Sequence, residues 1–98
     1  MPYAIQFTDK PGSAELRARV RPAHFDYLSA RSAMILAGGA LISDDGTGGH
    51  GGIILIDTDD RAEAEKFARE DPFNQAGLFA AVTITRWRKA FFAGERLV

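Results

Sequence analysis

The hydrophobic period of this chain switches repeatedly, and the order of the switches is what most restricts its fold. Tyr3, Ile5 and Phe7 alternate with smaller or polar neighbours, the period-two pattern of a half-buried strand. Asp9-Lys10-Pro11-Gly12 is a turn, and Ser13 can cap a helix with Glu15 near its positive end. Leu16, Val20, Ala23, Tyr27 and Leu28 then recur at helical spacing up to about Arg31–Ala33. Pro22 interrupts that run, either kinking one long helix or opening a second segment. Met34 to Ser43 is almost wholly apolar, as in a strand covered on both faces, and Gly38-Gly39 within it suggests a bulge or the close approach of another group. A glycine-rich loop, Asp44 to Gly52, leads to the β-branched strand Ile53–Ile56, so the two strands make an antiparallel hairpin. Asp60 and Glu63 have capping-box spacing, Ala64, Phe67 and Ala68 mark the inner stripe of a second helix, and Pro72 stops it. Alternation returns from Ala80 to Lys89.

Strand, helix, strand, strand, helix, strand is the split β-α-β order of ferredoxin-like α+β folds, with both helices on one face of a four-stranded antiparallel sheet. The other face keeps apolar residues, and a large exposed apolar patch marks an interface. A homodimer packed sheet to sheet is therefore expected. A length of 98 residues allows one domain, 1–98, in which 90–98 form a C-terminal extension without clear pattern.

Composition removes several chemistries. Twelve basic residues against thirteen acidic ones give a formal charge of −1, which argues against a nucleic-acid partner. With no cysteine there is no thiolate nucleophile, disulfide or thiolate-held metal. The longest uncharged apolar stretch, Ser32 to Ser43, is too short to span a membrane, and the N-terminus lacks the pattern of a secretion signal, so a cytoplasmic protein is expected.

His24 follows Val20 by four residues and precedes Tyr27 and Leu28 by three and four, which puts it on or beside the buried stripe of the first helix. Asp71 extends the inner stripe of the second helix, following Ala64, Phe67 and Ala68 by seven, four and three. Each has a plain structural reading: a satisfied core histidine, and a polar helix stop in solvent that stabilises the turn through an Asx contact. Because both helices lie on one sheet face, the two can meet. A carboxylate that accepts a hydrogen bond from an imidazole fixes its tautomer and raises its basicity, which makes a general base. Arg17 and Arg21, four apart, can hold a carboxylate or phosphate, or can be a solvated face paired with Glu15 or Asp26. The loop Asp44–Gly52 is no phosphate loop, since it lacks Gly-Lys-Ser/Thr and a strand follows; a hairpin loop or lid fits it better. Spacing singles out no metal site, although His24, His50 and Asp71 could supply one, and no cofactor is indicated. Trp87 reads as packing, as an anchor on the dimer face or as part of a pocket wall.

Arg17-x-x-x-Arg21-Pro22-Ala23-His24 with Tyr27-Leu28, the strand ending Ala37-Gly38, and Asp71-Pro72-Phe73 followed by Ala76-Gly77 and the strand through Trp87 resemble the signatures of the YciI-like (YCII-related) proteins. The resemblance runs from about Met1 to Phe92. It implies a dimeric α+β barrel with a His–Asp pair in a cleft, roles that fall on His24 and Asp71. The related enzymes are of lyase, isomerase or hydrolase type. Two departures stand out: Gly38-Gly39 where many relatives have Gly-Pro, and Gly51-Gly52 where many have Gly-Ser, so that a hydroxyl is missing. The expectation is a His24–Asp71 acid/base enzyme acting on a small anionic organic molecule, with Arg21, Arg17 and Gly38 contacting the substrate and the Gly46–Gly52 loop lining the cleft. The alternative is a non-catalytic dimeric module that binds a metabolite or partner in the same cleft.

Overall fold

The computed structural model describes residues 1–98. The elements are β1 (Tyr3–Asp9), α1 (Ala14–Ala30), β2 (Ile35–Leu41), β3 (Gly51–Ile56), α2 (Arg61–Glu70), α3 (Pro72–Gln75), β4 (Phe79–Arg86) and a terminal hairpin of β5 (Phe91–Phe92) and β6 (Glu95–Arg96). The first four strands form one antiparallel sheet in the order β2-β3-β1-β4. This is the α+β arrangement that the periodicity predicts. No helix is long and apolar enough to cross a membrane.

Strand register decides which face is core. Ile5 sits opposite Ile54 on one side and Ile84 on the other, and Tyr3 opposite Ile56. These odd-numbered residues of β1 all point toward the helices, because side chains alternate along a strand. Ile5, Phe7, Ile54 and Ile56 are buried there against Phe67 and Ala68 of α2 and Phe73 of α3, with Leu16, Val20 and Leu28 of α1 packed at the margin.

Helix α1 runs unbroken through Pro22, although the proline ring removes the amide that would bond to Ala18. The position of Ser13 as N-cap is as expected, but its side chain makes no capping bond. At α2 the Asp60 carboxylate accepts from the Ala62 amide at 2.9 Å. Glu63 does not reach back to complete the box; Thr58 occupies that place, accepting from the Asp60 amide and donating to Glu63.

Several boundaries and exposures differ from the periodicity, among them the end of β4 at Arg86 in place of Lys89. Met34 belongs to a 3-10 turn (Ser32–Met34), and Ile42 and Ser43 lie beyond β2. Strand β2 is the sheet edge, so Ala37 to Ala40 are exposed in the single chain rather than covered on both faces. Pro72 does not simply end the second helix. Its fixed φ and missing N–H suit the first position of the short α3, which is capped by Asp71. Residues 90–98 carry the β5–β6 hairpin, closed at its tip by Ala93 and Gly94, both at positive φ.

Gly51 and Gly52 are buried in β3 instead of lying in the loop. A Cβ at Gly51 would sit on the Phe7 carbonyl oxygen, and one at Gly52 would lie 2.6 Å from the Phe7 ring and 3.0 Å from the Gly39 oxygen. The Phe7 ring therefore occupies the space that a serine would need at position 52. Gly52→Ser is expected to destabilise the fold by about 1–3 kcal/mol through overpacking, measured by urea unfolding. Phe7→Leu in the same chain should return part of that loss.

Tyr27 ties α1 to α2, donating its hydroxyl to the Phe67 carbonyl at 2.9 Å. Burial, helped by the Glu70 and Asp71 carboxylates and opposed by Arg31, raises its pKa above the ordinary 10.0. A raised value in the folded state means that the protonated phenol favours folding. That contribution is complete below the unfolded value and is lost as pH rises through the folded one. Tyr27→Phe should therefore flatten the fall of stability above about pH 10, read from denaturant midpoints on either side of it.

Candidate active site

The helix stripe and the α2–α3 junction bring His24 and Asp71 together. The imidazole Nδ1 lies 2.8 Å from Asp71 Oδ1, and the two residues are 6% and 2% exposed. The same carboxylate oxygen accepts the Phe73 amide at 2.9 Å. Toward an ionised carboxylate, which only accepts, Nδ1 is the donor, and a neutral ring so bound carries its lone pair on Nε2. His24 lines the main cavity and Asp71 does not. The histidine therefore stands between its buried carboxylate and the cavity. Asp71 is buried and not a helix stop in solvent, and its one oxygen both caps α3 and meets the histidine.

Phe73 holds both partners. Its amide fixes Asp71, and its ring stacks on the imidazole with centroids 3.9 Å apart and planes inclined by 14°. Phe25 meets the same imidazole edge-on at 5.5 Å. Sequence reasoning named Phe73 only as part of a motif; the stack depends on α3, which the periodicity does not reveal.

The cavity, about 370 Å³, lies between α1 and the helix-facing side of the sheet. Arg17, Arg21 and His24 line it from α1, and Phe7, Ile54 and the Gly38–Ala40 stretch from the strands. Gly38 lies opposite Ile54, so a side chain there would point into the cavity. Arg21 makes no ion pair; its guanidinium rests 4.4 Å from the Phe25 ring centre. Arg17 differs. It binds Asp9 Oδ2 at 2.7 Å and the Gly51 carbonyl at 3.3 Å, and its guanidinium carbon lies 5.1 Å from the Phe73 ring centre. Its partner is thus Asp9, not Glu15 or Asp26, because the end of β1 passes the first turns of α1. The other Asp9 oxygen is buried with no hydrogen-bond partner. Of the two arginines, Arg21 is the free cation.

The Gly46–Gly52 loop does not line the cavity as expected. Its last two glycines are strand, and Gly49 packs against Arg17, where a Cβ would come within 2.8 Å of Nε. His50 is exposed, its backbone tied to Asp9 and Leu41. No three His, Asp or Glu side chains converge as a metal site needs. Trp87 is half-buried just past β4, outside the cavity.

The YCII-related domain family matches residues 1–88. Two proteins named YciI, from Escherichia coli O6:H1 and Shigella flexneri, are each 30% identical over 98 residues, covering 93% of this chain and 100% of theirs. Among solved structures, the 5-chloro-2-hydroxyhydroquinone dehydrochlorinase of Burkholderia phenoliruptrix AC1100, in complex with 2,5-dihydroxybenzoquinone, is similar with a TM-score of 0.83 and 34% identity. That likeness covers 90% of this chain and 94% of the other. The neighbour is thus an enzyme acting on a small molecule.

Proposed function

The chain belongs to the YCII-related family, and from that premise we propose that it is an enzyme catalysing elimination or isomerisation of a small anionic organic molecule by His–Asp acid/base chemistry. The observation that carries this reading is a buried histidine, bound through Nδ1 to Asp71, that lines a cavity beside an unpaired arginine. In the resting state Nε2 is a base. It takes a proton from an acidic O–H or C–H of the substrate, and the released electron pair moves into a new double bond. In elimination the leaving group departs with its bonding pair; in isomerisation the imidazolium returns the proton at another carbon. Asp71 stabilises the imidazolium formed between these steps. Arg21 faces the substrate's negative charge, and Gly38 leaves the sheet side of the cavity flat.

The dehydrochlorinase neighbour suggests the first panel for testing: chlorinated and unchlorinated hydroxyhydroquinones, followed by unsaturated lactones and hydroxy acids. Turnover with one of these that disappears in His24→Gln supports an enzyme. Compounds that bind tightly without any turnover would favour the binding-module reading. Arg21→Ala is expected to raise KM about 10- to 100-fold with kcat less affected, the effect of one charge-assisted hydrogen bond.

We also propose a homodimer packed through the open sheet face. Ile53 is 37% exposed there, with Leu41 and Leu55 half-buried beside it. Leu55→Glu should shift sedimentation equilibrium to a monomer; a wild-type protein already monomeric at micromolar concentration would refute the proposal.

A further inference from the structure

The cavity is larger than a single-ring substrate requires. An engineered apolar cavity of about 150 Å³ holds one benzene, and the space here is about 370 Å³. Its shape follows α1. Arg17, Arg21, His24 and Leu28 succeed one another along one face of the helix, and the lining continues past the helix end to Ser32 and Ile35. At 1.5 Å rise per residue, Leu28 lies roughly 10 Å along the axis from Arg21, with His24 between them.

The two ends differ in chemistry. At the N-terminal end stand Arg21, a cation with no ionic partner, and Arg17, already bound to Asp9. His24 lines the middle. Beyond it the walls are Leu28, Ile35 and Ile54, and the polar groups are hydroxyls, with Ser32 at the far end. That region carries no charge, and it begins one helical turn past His24.

We infer that the substrate is an amphiphilic anion: its charged group lies at Arg21, its reacting carbon or hydroxyl beside His24, and an apolar extension of several carbons runs along Leu28 and Ile35 toward Ser32. This rests on the proposed function for the placement of the anion and adds to it the size and polarity of the remainder. A bare ring would leave the Leu28–Ser32 end wet, and its apolar walls would contribute nothing to binding.

Benzoate, 4-ethylbenzoate and 4-butylbenzoate, titrated into the wild-type protein by calorimetry, test this without requiring turnover. The dissociation constant should fall about fourfold for each added methylene until the end is filled. Ser32→Trp, and independently Leu28→Phe, should abolish the gain for the butyl compound while leaving benzoate unchanged. Equal affinity across the series, or a butyl gain that survives both substitutions, would overturn the extension while leaving the anion site standing. Benzoate that does not bind, or whose binding is indifferent to Arg21→Ala, would overturn the anion site and the extension with it.

Discussion

Asp71→Ala is expected to lower stability by about 3 kcal/mol. The residue is 2% exposed, and its Oδ1 satisfies two buried donors, the Phe73 amide and His24 Nδ1. Alanine leaves both without a partner, and each orphaned buried donor costs about 1–3 kcal/mol. The loss of the α3 cap is part of the same sum, because the cap is the Phe73 bond. Histidine can recover some of it by moving its proton to Nε2, but a bare Nδ1 lone pair then remains buried. For a domain of this length, about 3 kcal/mol lowers Tm by roughly 12–25 °C. Asp71→Asn should regain most of this stability, since its carbonyl can still accept from the Phe73 amide. A melt of Asp71→Ala within a few degrees of wild type would show that water or a repacked α3 replaces the carboxylate.

The pairing behind that prediction was legible in the sequence because it rests on two periodicities. Helical spacing puts His24 on the inner stripe of α1 and leads up to Asp71, which stands one residue past the end of α2, and the strand order puts both helices on one sheet face. Much of what surrounds the pair depends on contacts between distant segments, which spacing does not carry. The sequence offers Arg17 and Arg21 the same two roles, anion holder or solvated face, and puts Arg21 first as the substrate contact. Only the packing of the β1 end against α1 gives Arg17 the Asp9 carboxylate and leaves Arg21 unpaired. Gly51-Gly52 reads as loop because glycine weakens strands. Here the approach of Phe7 demands glycine, and the local preference is overridden by tertiary packing. The α3 turn is too short for a period, yet its Phe73 supplies both the stack on His24 and the amide on Asp71. The run Met34–Ser43 reads as covered on both faces because its side chains are apolar, and as an edge strand β2 leaves Ala37–Ala40 open in the single chain.

His24→Gln is expected to reduce kcat by about 10²- to 10⁴-fold, the contribution of a positioned general base, with KM changed far less. Glutamine can still donate an amide N–H toward Asp71, so the fold should persist, and thermal unfolding checks that it does. What glutamine cannot do is accept and return a proton. The Asp71→Asn variant separates orientation from charge at the same position. The uncharged amide no longer stabilises the imidazolium formed when Nε2 takes a proton, so kcat should fall although the fold is nearly restored. If asparagine instead turns its NH₂ toward Nδ1, the ring is forced into the Nε2–H tautomer, which presents a donor to the cavity where the reaction needs an acceptor. Both routes predict the same dissociation of effects: stability recovers from Asp71→Ala to Asp71→Asn, and turnover does not. Parallel recovery of both would reduce the carboxylate to a cap for α3. A His24→Gln protein retaining full turnover would move the chemistry away from the imidazole altogether.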